Sequence, residues 1–287
     1  MTGQTADLGK YIAEHHIDCP RSTTSIGHCR IFDKENRPLL KRGQKNRVLL
    51  YPGCFNPPHL GHYNILRRAF EGSQDINVIA AIVLLLDDDS LEAKCEAKGQ
   101  SLVLSRSERA CLWRSDARVL PQWWIYDGSV RDWYWLREDL ENAIAIDGFD
   151  FQFASVLGPD YISRFGSYLG WNWSCHETIT SDAGRRSDLV KADGSLYTLP
   201  DGTRSETSRQ AGAPQRATVK VCHLITEETV WVRFVPADAA PFDISATQIR
   251  ELVENDTMSS DELCGKLQGL VLSPDMLTDM VLARPTY

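Results

Sequence analysis

No two cysteines in the sequence are spaced as CxxC, and the eight that occur (Cys19, Cys29, Cys54, Cys95, Cys111, Cys175, Cys222 and Cys264) are scattered over 287 residues. That pattern signals neither a disulfide framework nor a structural zinc site, so free thiols, no bound metal and a reduced compartment, the cytoplasm, are expected. No apolar run approaches the roughly 20 residues that a bilayer-spanning helix needs. The start MTGQTADLGK lacks the charged-then-apolar order of a secretory signal, so no membrane partner is expected. Basic residues are in deficit: 31 Lys and Arg against 39 Asp and Glu leave a net charge of -8, which excludes a uniformly positive surface for nucleic acid but not a local basic face. Lys41, Arg42, Lys45 and Arg47 form one basic cluster, and Arg204, Arg209, Arg216 and Lys220 are spread through another polar stretch. No internal repeat occurs. With 43% hydrophobic and 24% charged residues, the chain has material for a sizeable core in one large domain or two small ones.

Hydrophobic periodicity divides what is there. Residues 1–46 are polar and weakly patterned, with a short helix expected near Leu8 to His15, and read as an N-terminal extension over a core. Residues 47–287 read as a single domain. Val48 to Tyr51, ended by Pro52-Gly53, suits a buried strand entering a tight turn. Ile65, Leu66, Ala69 and Phe70 then recur at helical spacing until Gly72. Ile76 to Leu86 is an almost unbroken apolar run, as in a parallel strand buried on both faces. Helices are expected over Ser105 to Trp113 and Val130 to Ile146, and strands over Trp124 to Tyr126 and Phe151 to Leu157. This alternation predicts an α/β fold with a doubly wound parallel sheet. Residues 181–217, rich in Ser, Gly, Arg, Asp and Thr, read as an insertion. Val219 to Ile225 and Val230 to Val235 are strand candidates, and Asp243 to Val253 and Ser273 to Leu282 helix candidates.

The stretch VLLYPGCFNPPHLGH, Val48 to His62, puts a glycine turn after a buried strand and a Pro-Pro pair where a helix starts. In a doubly wound sheet ligands bind there, and free amides at a helix N-terminus favour an anion. His59 and His62, three apart, share one face of the first turn and can donate hydrogen bonds to phosphate. YPGCFNPPHLGH resembles the HxGH signature of the nucleotidylyltransferase superfamily, nearest to the nicotinamide mononucleotide adenylyltransferases, with Cys54 where serine is usual. ISATQIR, Ile244 to Arg250, resembles the superfamily's ISSTxIR motif, with Ala246 for the second serine. The resemblance implies a Rossmann-like, HUP-type fold in which Gly53, Cys54, Asn56, His59 and His62 line one side of a phosphate pocket and Ser245, Thr247 and Arg250 the other. Gly158-Pro159-Asp160 resembles the superfamily's later ligand loop, where Asp160 would meet a ribose hydroxyl or would only mark a turn.

Asp87, Asp88, Asp89, Ser90, Leu91 and Glu92 follow the second apolar run directly. As a charge run this reads as a solvated acidic loop, or as a grip for a guanidinium, whose fork matches carboxylates. Asp88-Asp89-Ser90-Leu91-Glu92 fits the DDxxE pattern of the fungal arginine-containing cyclodipeptide synthases. That resemblance implies a transfer-RNA-dependent enzyme joining arginine from arginyl-tRNA to a second aminoacyl group. No cofactor is needed, the partners are two aminoacyl-tRNAs, and Asp88, Asp89 and Glu92 are the catalytic and arginine-binding groups. The alternative is an adenylyltransferase joining ATP to a mononucleotide with Mg2+. The first reading requires the acidic end of the second strand to lie beside the hollow of His59. Cys54 reads as a passive replacement for serine, with an aminoacyl acceptor as the rarer role. Among Trp123, Trp124, Trp133, Trp135, Trp171 and Trp173, core packing is expected for most, and stacking on bases or lining of the second amino-acid pocket for the rest. Cys175-His176 is not expected to form a catalytic pair, because neighbours on a strand point to opposite faces. Arg185 and Arg186 read as solvated residues or as contacts to RNA phosphate.

Overall fold

The computed structural model describes residues 4–16, 31–32, 35–159, 161–162, 173–184, 204–207, 219–223, 230–238, 244–254 and 258–284. A two-stranded antiparallel ribbon, β1 (Thr5–Asp7) with β2 (Leu39–Lys41), frames α1 (Leu8–His15), whose first turn is capped by Asp7 accepting from the Gly9 amide. The central sheet then runs through β3 (Lys45–Gly53), β4 (Val78–Leu85), β5 (Trp123–Tyr126), β6 (Asp150–Val156), β7 (Glu177–Thr180), β8 (Arg204–Thr207), β9 (Lys220–His223) and β10 (Trp231–Phe234). Its spatial order is β5-β4-β3-β6-β7-β10-β9-β8. The first six of these pair in parallel, while β9 and β8 add an antiparallel edge. Counting only the parallel strands in chain order, the arrangement is 3-2-1-4-5-6, the doubly wound order whose switch point lies between the first strand and the fourth. Here that places the crevice at the carboxyl ends of β3 and β6.

Side-chain alternation explains why the strands are apolar throughout. Leu49, Tyr51, Ala81, Val83, Leu85, Trp123 and Ile125 face one cluster, with Ile65, Leu66 and Phe70 of α2 (Leu60–Glu71) and Trp113 of α4 (Arg106–Arg114). Val48, Leu50, Ala80, Ile82, Leu84, Trp124 and Tyr126 face the opposite one, with Trp133, Leu136 and Leu140 of α5 (Val130–Ile146) and Leu8 and Ile12 of α1. A strand covered on both faces has no polar side to show, which is the pattern of Val78–Leu85. The segment before β3 contributes to this second cluster: Leu8, Ile12 and Leu40 are fully buried. A third cluster joins Leu102, Leu104 and Leu112 to the C-terminal helices α6 (Ala246–Glu254), α7 (Ser260–Leu267) and α8 (Pro274–Leu282).

Several expectations are corrected. The acidic stretch is not a loop: Asp87 precedes α3 (Asp88–Glu96), with Asp88 and Asp89 in its first turn, where carboxylates complement the helix dipole. β7, which no apolar pattern announced, has its polar Glu177 buried in a fork-to-fork pair with Arg47, Nε to Oε2 at 2.5 Å and Nη2 to Oε1 at 2.9 Å. A strand, β8, lies within the expected insertion, most of which is outside the described residues. The second apolar run is shorter at its start, because Gln74–Ile76 form one 3-10 turn and Asn77 takes a left-handed conformation before β4.

Candidate functional site

Strand β3 delivers Gly53 and Cys54 to the switch point. Phe55 then reverses the chain with φ 47°, and its ring folds back under Gly53. A Cβ on Gly53 would sit 2.6 Å from that ring, so glycine is required for close packing there. The Phe55 ring stands edge-on to Tyr51, His62 and Trp113, with centroids 5.0, 4.9 and 5.5 Å apart. Asn56, buried to 2% exposure, spends its amide on the chain: Nδ2 donates to the Leu102 carbonyl at 2.8 Å and Oδ1 accepts from the Leu104 amide at 3.0 Å. Its role is to fix the turn. The Asn56–Pro57 peptide bond is cis.

His59 caps α2 and is buried at 5% exposure, while His62 one turn on stacks against it, centroids 3.5 Å apart and planes 28° off parallel. The His59 backbone amide donates to His62 Nδ1 at 3.3 Å. With Nδ1 accepting, the neutral His62 ring carries its proton on Nε2, where it serves as a donor. The entry to α2 is fastened from behind by the α7–α8 link: the Leu60 amide donates to the Leu270 carbonyl at 2.8 Å and the Leu272 amide to the Pro58 carbonyl at 3.2 Å.

The two motifs meet. Arg250 of α6 donates through Nη1 to the Asn56 carbonyl and through Nη2 to the Thr247 hydroxyl at 3.1 Å. At 7% exposure this guanidinium forms no ion pair with a carboxylate among the described residues, and its Nε has no hydrogen-bond partner. Burial pushes its pKa down, against the opposing pull of Cys95, Glu254 and Cys54. It is therefore a held positive charge whose compensation is incomplete, which suits an arriving anion. Ser245 is committed otherwise. Its hydroxyl caps α6 in a reciprocal box with Gln248, Oγ to Oε1 at 2.9 Å and the Gln248 amide to Oγ at 3.2 Å.

Glu254 at the other end of α6 accepts from the Ser101 amide, the Ser101 hydroxyl and the Leu102 amide at 3.0, 2.8 and 2.9 Å. This bond set ties α6 to the segment that holds Asn56. Desolvation would raise the Glu254 pKa, but these donors and Arg250 outweigh it and hold the carboxyl below the ordinary glutamate value of 4.5. The sign follows: a depressed folded-state pKa stabilises fully above the unfolded value and is lost as pH falls through the folded one. Glu254→Gln is therefore expected to lower the melting temperature at pH 7 and to narrow its gap to the wild type as pH is taken from about 5 to 3. Thermal melts across that range check it, and a pH-independent gap would contradict it.

The acidic helix lies beside the turn of the cradle. Arg109 of α4, with no exposed surface, donates through Nη1 to the Cys54 carbonyl at 2.7 Å and through Nη2 to the Leu86 carbonyl at 2.9 Å and to Asp88 Oδ1 at 2.6 Å. Lys94 of α3 approaches the Cys54 sulfur to 3.4 Å. Asp87 pairs with Arg106 and accepts from the Val130 amide at the start of α5. Asp89 and Glu92 are exposed and make no hydrogen bond or ion pair among the described residues. Asp88 is thus engaged by an arginine of the chain itself. Asp160, Trp171, Arg185 and Arg186 lie outside the described residues. Trp123, Trp124 and Trp133 are core, Trp135 is 64% exposed, and Trp173 stacks on Tyr134 at 6.4 Å. Lys45 and Arg47 of the basic cluster are spent on Gln152 and Glu177, and Arg42 on the Asp147 carbonyl. Among the described residues no group of three or more His, Cys, Asp or Glu is placed to hold a metal ion, and no helix is long and apolar enough to cross a membrane.

Sequence comparison matches the Cytidylyltransferase-like family over residues 50–252, a span that takes in both motifs and α3. The chain belongs to that family. Its fold is accordingly the nucleotidylyltransferase one, a mostly parallel sheet with flanking helices. A search of curated proteins gave no match. Among solved structures, the chain is similar to Plasmodium falciparum nicotinic acid mononucleotide adenylyltransferase complexed with APC, at 11% identity and a TM-score of 0.45, over 82% of this chain and 94% of that one. It is similar to the same enzyme complexed with NaAD at 12% identity and a TM-score of 0.45, over 82% and 95%. Sequence reasoning missed Arg109 and Phe55. Phe55 sits inside the quoted motif, but Arg109 lies in a helix whose pattern, SERACLWR, does not mark it as buried.

Proposed function

We propose that this family member is a transferase whose cradle holds the adenosine and phosphate end of an aminoacyl-tRNA, and that it joins arginine from arginyl-tRNA to a second aminoacyl group as a cyclo(Arg-Xaa) dipeptide. The observation that carries this reading is the fastening of the acidic helix to the cradle turn through Arg109, which leaves Asp89 and Glu92, one helical turn apart, open to a guanidinium. Each of the two amide bonds forms when an amine attacks an ester carbonyl. The ester C–O bond breaks and the amine proton passes, directly or by way of a carboxylate, to the leaving ribose oxygen, which departs as the free hydroxyl of the tRNA. The ester supplies the activation, so no ATP is consumed. Positioning and charge stabilisation by Arg250, His59 and His62 would supply most of the rate.

A second reading, adenylyl transfer from ATP to nicotinamide or nicotinate mononucleotide with release of pyrophosphate, is favoured by the family itself and by Arg250, which suits any polyphosphate. Mg2+ would then be held chiefly by the substrate phosphates, with Asp89 and Glu92 as the exposed carboxylates to complete its shell. One assay separates the two. Purified protein is incubated with arginyl-tRNA and mixed aminoacyl-tRNAs without ATP, and separately with ATP, Mg2+ and either mononucleotide. A cyclic arginine dipeptide detected by mass is the expected result. Pyrophosphate release in the second mixture, with no dipeptide in the first, would replace the first reading by the second.

A further inference from the structure

We infer that Arg109 is a positioning residue for the arginyl substrate, an inference that rests on the arginine-joining reading above. Its guanidinium is fully buried and engaged at all three nitrogens, in three separate parts of the chain. Nε donates to the Leu104 carbonyl at 3.0 Å and the Ser105 carbonyl at 3.3 Å, Nη1 to Cys54 at the cradle turn, and Nη2 to Leu86 at the end of β4 and to Asp88 in the first turn of α3. Helix α3 follows β4 after only two residues, so its angle to the cradle is set by whatever holds its first turn. Asp87 at its cap is held by Arg106 and the Val130 amide, and Arg109 is the hold that ties its first turn to the cradle, since it ends on the same turn that carries Cys54. The side chain of Asp88 is 39% exposed where Arg109 is wholly covered, so the pair is anchored from the protein side and faces solvent on the acidic side. Two consequences follow. One oxygen of Asp88, Oδ1, already accepts from an internal guanidinium, whereas Asp89 and Glu92 are exposed and unengaged among the described residues, which makes them the carboxylates for the substrate's. The distance between that acidic pair and the cradle is fixed before substrate arrives, which is the preorganisation that favours one side-chain length over another.

A lysine cannot reproduce the fork, because one ammonium cannot reach three carbonyl-bearing segments and a carboxylate at once. Arg109→Lys is therefore expected to raise KM for arginyl-tRNA about tenfold, equivalent to about 1.4 kcal/mol, with kcat and KM for the second aminoacyl-tRNA changed by less than about twofold. A merely structural loosening would move both KM values together, since both substrates share the tRNA end. Asp88→Asn tests the same link from its exposed end, leaving the other bonds of Arg109 in place. It should raise the same KM selectively, and the double variant should be no worse than the worse single one. Near-UV circular dichroism guards the comparison, and if Arg109→Lys fails to fold, Asp88→Asn decides. Unchanged arginyl-tRNA KM in Asp88→Asn, or equal rises for both substrates, would overturn the role of Arg109. Absence of cyclic arginine dipeptide from the wild type would instead strike the underlying reading.

Discussion

Arg250→Met is expected to weaken the binding of ATP, used as a polyphosphate probe, by about 10- to 100-fold, the loss of one or two charge-assisted hydrogen bonds at about 1.5–3 kcal/mol together. The same variant should fold with little change in melting temperature, and that combination is the informative part. Two effects oppose each other in stability. Removing the side chain takes away the donor to the Asn56 carbonyl, a cost of about 1–3 kcal/mol for a buried acceptor left unpaired. It also removes a guanidinium that burial has already destabilised and that has no carboxylate partner among the described residues, and replacing such a charge by an apolar side chain of similar length is often neutral or favourable. A structural arginine would behave in the opposite way, with a steep loss of stability and intact ligand affinity. Calorimetric titration with ATP beside a thermal melt reads both quantities. Affinity within about twofold of the wild type would remove Arg250 from the anion site under either functional reading.

The same balance of local against distant forces explains which parts of the molecule could be read from the residues alone. β3 and β4 are legible because burial on both faces leaves an unbroken apolar run, as in Val48–Tyr51, and α2 and α5 because burial along one face shows a period of 3.6, as in Trp133, Leu136 and Leu140. α1 is legible over Leu8–His15 for the same reason, since Leu8 and Ile12 are the buried pair at helical spacing. β7 is not, because Glu177 looks solvent-seeking until Arg47, 130 residues earlier, is known to lie across the sheet from it. α7 is not expected from the sequence: the structure shows a Ser259–Glu262 capping box at its start, but its short span carries too little apolar pattern to announce a helix. In the site, the glycine turn and the paired histidines are local in sequence and were visible. The meeting of Arg250 with Asn56 follows from family resemblance rather than from spacing. Arg109 was invisible for a physical reason: an arginine becomes a core residue only when distant carbonyls are arranged to receive it, and no property of its own helix announces that.

Gly61, the residue between the two histidines, gives the second large effect. Gly61→Ala should destabilise the fold by about 1–3 kcal/mol, as overpacking of a closed site does, and should slow product formation about 100-fold, the cost of displacing catalytic geometry by roughly an ångström. On an exposed helix the change would have the reverse sign, since alanine exceeds glycine in helix propensity by about 1 kcal/mol. Space decides against it here. A Cβ at Gly61 would lie 2.9 Å from both Cε1 and Nδ1 of His59 and 3.1 Å from the Gly184 carbonyl oxygen. The His59 ring cannot simply tilt aside, because it is stacked on His62 at 3.5 Å, and His62 is in turn braced by the edge of Phe55 at 4.9 Å. Nor can the other wall retreat freely, since Gly184 is itself packed so closely that a Cβ on it would sit 2.2 Å from the Gly61 carbonyl oxygen. The added methyl must therefore be absorbed by unstacking the imidazoles, the pair on which the phosphate-binding role depends. Thermal melts together with initial rates test this, and a variant more stable than the wild type at full activity would mean that the backbones of the first turn of α2 and of residues 181–184 do not press together as described.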